Sequence, residues 1–138
     1  MKITKEFLDD LSYRIIGCAI EVHKYLGPGL IESVYEKCFC RELAFRSFEF
    51  KKELWVPIVY KGVFLDTELR LDVIVEDLIL VELKAIDGIL PLHKAQVMSY
   101  MKLMQKPKGI LINFNCVNIF KEGQTTFVNE FYAALPQK

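Results

Sequence analysis

The chain has 138 residues, of which 52% are hydrophobic and 26% charged, and its 18 basic and 18 acidic side chains balance to a formal net charge of zero. This composition excludes a disordered or low-complexity protein, and the length predicts one domain covering residues 1–138. A zero net charge excludes attraction of the whole molecule to nucleic acid or anionic lipid. No apolar stretch is long enough to span a bilayer and the N-terminus has no apolar signal core, so we expect no membrane partner and a cytoplasmic location.

The lysines are unevenly distributed along the chain. Residues 84–121 carry six lysines against a single acidic residue, Asp87. Such a segment could present a locally basic surface to phosphates, although a solvated lysine-rich face is the more ordinary outcome. The four cysteines form no CxxC pair and only two histidines could complete a zinc site, so reduced and mostly buried thiols are expected.

Two helices are predicted before residue 48. Residues 5–26 place apolar side chains at three- and four-residue steps, with Thr4 as the N-cap and Gly27-Pro28-Gly29 as the stop. A second helix is expected from about Leu30 to Arg46. Its apolar stripe is predicted to run through Leu30, Val34 and Cys38, and to continue through Arg41 and Phe45.

From Phe48 onwards the apolar period changes to two, which predicts strands. Strands are expected over 51–60, 63–75 and 79–85, with turns at Lys61-Gly62 and Glu76-Asp77-Leu78. A third helix over 91–104 is expected to begin at Pro91, and strands are expected over 109–114 and 125–132. This order of elements favours an α/β fold in which helices pack against a sheet.

The two strands joined by Glu76-Asp77-Leu78 carry the most informative side chains. Their apolar faces coincide only if Val75 lies opposite Ile79 across the three-residue turn. The same register sets Asp72 opposite Glu82 on the other face. The hairpin therefore predicts two carboxylates side by side.

Two opposed carboxylates on a largely apolar sheet repel each other and are costly without a cation. Mg²⁺ suits such a pair, because it takes oxygen ligands and usually needs only one or two protein carboxylates. Lys84, two residues beyond Glu82, would point into the same space, where it could orient an attacking water or stabilise charge on a phosphoryl group. The spacing alone is equally compatible with a surface hairpin whose charges face solvent.

Helices two and three add further polar candidates. Gln96 and Tyr100 are four residues apart, with His93 one turn earlier, so the three side chains share one stripe of the predicted helix. This polar stripe could belong to the site, or it could simply be solvated or cap the helix. Helix two supplies Glu32 and Glu36, which share a helical face. Spacing therefore cannot decide which of these two approaches the acid pair.

These residues resemble a known family. Gly29-x-x-Glu32-x-x-Tyr35 matches the motif that names the bacterial GxxExxY proteins, which are grouped with the PD-(D/E)XK nuclease superfamily. Over roughly residues 10–123 the similarity continues through Asp72, Glu82-Leu83-Lys84, Gln96-x-x-x-Tyr100 and the segment 109–114. The resemblance implies a restriction-endonuclease-like core, with a mixed β-sheet flanked by helices.

The resemblance also implies roles for the matching residues. The catalytic residues it implies are Asp72, Glu82, Lys84, Gln96 and Tyr100. The metal ligands it implies are Asp72, Glu82, the Leu83 carbonyl and Glu32, with Glu32 rather than Glu36 approaching the acid pair.

The resulting hypothesis is a Mg²⁺- or Mn²⁺-dependent nuclease that hydrolyses phosphodiesters in DNA in preference to RNA. The alternative is a module that keeps the nuclease fold and binds or assists without turnover, which the zero net charge and small size favour. A homo-oligomer is also compatible with the sequence, and in its purely structural form it predicts no metal binding and an extensive apolar surface.

Overall fold

A five-stranded mixed sheet forms the centre of the fold. The computed structural model describes residues 2–138, so Met1, the first residue of the predicted domain, lies outside the described residues. The strands in this part of the chain are β1 Phe50–Trp55, β2 Ile58–Tyr60, β3 Val63–Leu65, β4 Arg70–Val75, β5 Ile79–Lys84, β6 Lys108–Asn113 and β7 Gln124–Val128. The sheet has the order β1-β4-β5-β6-β7, with β5 and β6 parallel and the other neighbours antiparallel. The predicted mixed sheet is confirmed.

Helices cover both faces of this sheet. They are α1 Lys5–Leu26, α2 Glu32–Phe45, α3 Pro91–Met104 and α4 Glu130–Ala133, with a π-helical turn at Ile119–Gly123. α1 and α2 share one buried cluster with sheet residues such as Val81 and Ile110, whereas α3 shares a second cluster with Leu80 and Leu111 on the opposite face. Among residues 2–138, no helix combines the length and the apolar character that a membrane crossing needs.

The crossover between the parallel strands brings a helix close to the sheet. α3 connects β5 to β6, as a parallel pair requires. Gly109 in β6 lies directly under this helix, where an added Cβ would come within 2.8 Å of the Met101 sulfur and 2.9 Å of Val97 Cγ1. A glycine at this position therefore sets how closely α3 approaches the sheet.

The predicted helix signals at Thr4, Gly27 and Pro91 are confirmed. The Thr4 hydroxyl accepts a hydrogen bond from the Phe7 N–H at 3.0 Å, which caps α1. α1 ends at Gly27, whose φ of +67° is in the left-handed region that favours glycine. Pro91 is the first residue of α3, where its missing N–H costs nothing.

The predicted buried face of the second helix was wrong. α2 begins at Glu32, and its buried residues are Tyr35, Phe39, Cys40 and Leu43. Leu30 lies before the helix and Phe45 is 74% exposed. Tyr35 packs on Phe114, so the face of α2 that contains Tyr35, Phe39 and Leu43 is the buried one.

Both of the long predicted strands are interrupted. The expected strand over 51–60 divides into β1 and β2 at Val56-Pro57, where proline removes a ladder donor. The expected strand over 63–75 divides into β3 and β4, so that β2 and β3 form a separate hairpin around the predicted Lys61-Gly62 turn. The last predicted strand ends at Val128, because Asn129 caps α4 by accepting hydrogen bonds from the Phe131 and Tyr132 N–H groups.

Candidate active site

The β4–β5 hairpin has the predicted register up to the acid pair. Val75 pairs with Ile79 and the ladder continues as far as Val73 opposite Val81. Beyond that pair, hydrogen bonds from backbone N–H groups to the two carboxylates replace the backbone-to-backbone hydrogen bonds of the ladder. The Asp72 N–H donates to Glu82 Oε1 at 3.0 Å, and the Leu83 N–H donates to Asp72 Oδ2 at 2.8 Å. Glu82 thus accepts a hydrogen bond from the backbone of β4 and Asp72 accepts one from the backbone of β5, which fixes the two carboxylates side by side.

The neighbouring strand β1 is also distorted at the level of Asp72. Lys52 pairs with Val73 and Leu54 with Leu71, but Glu53, between them, has a φ of +54°. A glutamate in this left-handed region within a strand is uncommon and costs conformational energy. The regular pairing of β4 with β1 and with β5 is therefore interrupted at Asp72 on both sides.

Glu82 is buried and Asp72 is half-buried, and neither carboxylate forms a salt bridge within residues 2–138. Glu82 is only 4% exposed. Burial, followed by the negative charge of Asp72, raises the pKa of Glu82 to about 8. Burial also raises the pKa of Asp72, although the hydrogen bond from Leu83 and the charge of Lys84 oppose that shift. Without a cation, the pair therefore tends to retain a proton near neutral pH.

One oxygen of each carboxylate is left open. Within residues 2–138, Asp72 Oδ1 and Glu82 Oε2 take part in no hydrogen bond, and no fully buried side-chain oxygen lacks a partner. These two oxygens therefore reach solvent at the edge of a buried pair. No three His, Cys, Asp or Glu side chains in the same residues form a metal cluster. Two carboxylates are nevertheless a fitting donor set for Mg²⁺, which usually completes its shell with waters and substrate phosphate.

Lys84 ends β5, one residue beyond Leu83 and on the same face as Glu82. Its ammonium has no salt-bridge or hydrogen-bond partner within residues 2–138. Its positive charge lowers the pKa values of Asp72, Glu82 and Glu32. The Lys84 ammonium is therefore close enough to influence three carboxyl groups but forms no ion pair or hydrogen bond with any of them.

The motif Gly29-x-x-Glu32-x-x-Tyr35 is a structural device that positions the start of α2. Gly29 has a φ of +100°, which favours glycine. The buried Tyr35 hydroxyl donates to the Gly27 carbonyl and accepts from the Leu30 N–H at 3.2 Å. Its ring stacks on Phe114, at the end of β6, with 4.4 Å between centroids. The loop is thereby held against the sheet, and Glu32 becomes the first residue of α2.

Both glutamates of α2 lie near the acid pair, but they differ in what they approach. Burial and the charge of Asp72 raise the pKa of Glu32, and Glu32 in turn raises the pKa of Glu82. Burial and the charges of Asp72 and Glu53 raise the pKa of Glu36. Glu32 therefore interacts with both members of the pair and with Lys84, whereas Glu36 lies towards β1.

α3 contributes two of its three predicted polar residues. Gln96 Nε2 donates to the Tyr100 hydroxyl at 2.9 Å. Burial raises the pKa of Tyr100, and the charges of Glu82 and Asp72 raise it further, so this hydroxyl lies near the acid pair. His93 has the capping role that was the alternative explanation, since its Nδ1 accepts from the Leu90 N–H at 2.9 Å.

Two residues beside this site, Glu53 and Asn113, were not singled out from the sequence. Glu53 adds negative charge beside Asp72, which raises the pKa of that carboxyl group. Asn113, at the end of β6, is buried; its amide accepts from the Ile86 N–H at 3.1 Å and donates to the Ile86 carbonyl at 2.9 Å. Asn113 thus secures the chain that leaves β5 after Lys84. An asparagine within the apolar run 109–114 was the available signal, because a buried amide needs partners.

The locally basic segment is less basic than its sequence suggests. Lys108 is buried and forms a 2.7 Å ion pair with Asp9, while Lys106 forms a 3.1 Å pair with Asp77. Two of the six lysines in residues 84–121 are therefore neutralised by acids from elsewhere in the chain. Lys94 and Lys102 remain exposed along α3.

Comparison with known proteins identifies the family of this chain. Searches of curated proteins and of solved structures gave no match. The family model of the PD-(D/E)XK nuclease superfamily matches residues 9–126, a range that contains the β4–β5 hairpin, the start of α2 and all of α3. The mixed sheet flanked by helices agrees with the restriction-endonuclease-like fold of that superfamily. The chain therefore belongs to the PD-(D/E)XK nuclease superfamily.

Proposed function

We propose that this protein is a divalent-metal-dependent nuclease that hydrolyses phosphodiester bonds of nucleic acid, with DNA as the preferred substrate. The observation that carries the proposal is the buried Asp72–Glu82 pair, in which each carboxylate is fixed by a backbone N–H and keeps one oxygen open. A purely structural acid pair would be expected to form a salt bridge, and within residues 2–138 neither Asp72 nor Glu82 forms one, with Lys84 or with any other cation. Membership of the superfamily supports nuclease activity in general. Membership of the GxxExxY group and a cytoplasmic location are also part of this proposal.

The residues that would hold the metal are Asp72 and Glu82, with the Leu83 carbonyl and Glu32 as further ligands. Mg²⁺ or Mn²⁺ bound there would supply Lewis-acid stabilisation of charge on the phosphate. Glu32 is suited to this role because the charge of Asp72 raises its pKa and its own charge raises the pKa of Glu82. The buried hairpin fixes both carboxylates before substrate arrives, so little reorganisation is needed.

Lys84, Gln96 and Tyr100 would act on the substrate side of the acid pair. In hydrolysis a water oxygen attacks phosphorus, the bond to the leaving oxygen breaks, the water loses a proton and the leaving oxygen gains one. The uncommitted ammonium of Lys84 would orient that water or donate a hydrogen bond to a phosphate oxygen. The Tyr100 hydroxyl accepts from Gln96, so its own proton points away from Gln96 and is available to orient the site.

The test is cleavage of labelled DNA and RNA, single- and double-stranded, with Mg²⁺, with Mn²⁺ and with a chelator. Asp72→Ala, Glu82→Gln and Lys84→Met should each lower the rate by about 10²-fold or more, the order expected for loss of preorganised electrostatic stabilisation. The matched control is Asp66→Ala, which removes an exposed carboxylate between β3 and β4 and should leave the rate unchanged.

Two outcomes would contradict the proposal. Cleavage that persists in Asp72→Ala and Lys84→Met would assign the activity to another site. A wild-type protein that binds nucleic acid but cleaves none of the substrates with either metal would favour the inactive binding module.

A further inference from the structure

The hairpin formed by β2 and β3 projects from the fold as an apolar surface. Within residues 2–138 these two strands pair only with each other, and neither belongs to the five-stranded sheet. All six strand residues are apolar, and five of them, from Val59 to Leu65, are between 42% and 70% exposed. An isolated two-stranded hairpin is at best marginally stable in water. This hairpin therefore lacks a partner that its composition calls for.

Both faces of the hairpin are apolar. Val59 and Phe64 are paired on one face, and Tyr60 and Val63 are paired on the other. A hairpin that packed on its own protein would keep one polar face. Apolar side chains on both faces indicate a surface that is covered by another molecule.

The outer edges of the hairpin are also unprotected. The free edge of the main sheet, β1, carries Lys51, Lys52 and Glu53, charges that discourage pairing with another chain. β2 and β3 carry no charged residue, so their outer N–H and C=O groups are open to a further strand. Charged residues thus discourage strand pairing at the edge formed by β1, whereas the outer edges of β2 and β3 carry no such charges.

The charge balance indicates what the partner is. Residues 55–70 contain Lys61 and Arg70 against Asp66 and Glu68, a balance of zero. Both cations lie over aromatic rings of the same surface, with Arg70 4.5 Å from the Trp55 ring and Lys61 5.4 Å from the Tyr60 ring. A surface for nucleic acid needs an excess of positive charge. A neutral surface with charges of both signs can meet a second copy of itself without repulsion.

The exposed area is of the size that self-association needs. With about 150–250 Å² for a large side chain, the exposed fractions of Trp55 and of five residues of β2 and β3 leave roughly 700 Å² open. A standard stable interface buries about 800 Å² on each partner.

We propose that the β2–β3 hairpin is the interface through which a second copy of this chain docks, in a two-fold symmetric contact. Hairpin meets hairpin, and their apolar side chains and open strand edges are buried together. The hairpin ends at Leu65, and Asp72 follows seven residues later in β4.

The test is the molar mass in solution by sedimentation or light scattering, from about 1 to about 100 μM, the range of weak to moderate dimers. Wild type should reach twice the chain mass of 16.0 kDa. Val59→Lys and Val63→Lys place a charge on opposite faces of the hairpin, and each should weaken dimerisation by at least about tenfold, since a charge is buried without a partner. Val117→Lys makes the same change at a residue that is 88% exposed and outside the hairpin, and it should dimerise like wild type.

A second readout comes from Trp55, the only tryptophan. Its emission should shift to shorter wavelength as wild type associates, and remain unshifted in Val59→Lys. The hairpin lies outside both buried clusters apart from its flanking Val56, so the variants should keep the circular dichroism of the wild type.

A wild type that remains monomeric at about 100 μM would overturn the proposal, as would dimers that persist in both hairpin variants. A monomer whose Trp55 emission is quenched by a single-stranded oligonucleotide would assign the hairpin to nucleic acid instead.

Discussion

Replacing Glu82 with Gln should remove most of the pH dependence of the metal-free protein's stability between pH 4.5 and about 8. The pKa of Glu82 rises from 4.5 to about 8 on folding, because burial and then the charge of Asp72 disfavour its ionised form. The folded protein therefore binds more protons than the unfolded chain in this window. The contribution of Glu82 to stability is therefore greatest below pH 4.5 and falls as the pH rises towards 8.

The size of the effect follows from the shift. At pH 7 the unfolded chain gains free energy by ionising Glu82 whereas the folded protein keeps this group protonated, which lowers the free energy of unfolding by about 3 kcal/mol relative to low pH, an order-of-magnitude figure from 1.36 kcal/mol per pH unit. The amide of Glu82→Gln can still accept the hydrogen bond from the Asp72 N–H. The variant should therefore be more stable than wild type at neutral pH. A smaller slope should persist, since the pKa values of Asp72, Glu32 and Glu36 are also raised.

The assay is urea unfolding at a series of pH values in the presence of a chelator. Glu130→Gln, which changes an exposed carboxylate on α4, should follow the wild-type profile. A flat wild-type profile between pH 4.5 and 8, or the same slope in Glu82→Gln, would refute the argument that Glu82 is buried without adequate compensation.

Three further substitutions test how the site is positioned. Glu53→Gly should stabilise the protein by about 1 kcal/mol relative to Glu53→Ala in urea unfolding, because only glycine relieves the left-handed backbone; equal stabilities would count against strain at this position. Tyr35→Phe should cost about 1–3 kcal/mol in the same assay, since the Gly27 carbonyl and the Leu30 N–H lose their partner; a neutral effect would contradict the proposed clamp. Gly109→Ala should lower the free energy of unfolding by about 1–3 kcal/mol and lower nuclease activity, because the added Cβ displaces α3 at Met101. Unchanged activity would show that the site does not depend on how closely α3 packs against the sheet.

The parts of the fold and site that depend on local pattern could be predicted from the sequence. The alternation in β4 and β5 allows one register that buries the apolar faces of both strands. That register predicts that Asp72 and Glu82 are neighbours. Signals with a local chemical cause, such as the Thr4 cap and Pro91, were equally readable. The nuclease superfamily was identified from short motifs around these same residues.

The parts that depend on distant contacts could not be predicted. The phase of α2 is set by Tyr35 packing on Phe114, almost eighty residues away, and an apolar pattern without that contact fits more than one phase. Lys108 looked like surface charge because its partner, Asp9, is on α1. The break that separates β3 from β4, over residues 66–69, contains no glycine or proline, so no local signal revealed it.

The central claim is that Asp72 and Glu82 form a divalent-metal site, and calorimetric titration of Mn²⁺ into the protein at pH 7 tests it most directly. Because the pKa of Glu82 is about 8 without metal, a cation that binds the ionised pair should displace a proton. Titrations in buffers of different ionisation enthalpy should show saturable binding with release of close to one proton. Asp72→Asn should abolish the binding, while Asp66→Asn should not. Absence of saturable binding to wild type, or binding that survives in Asp72→Asn, would contradict the account.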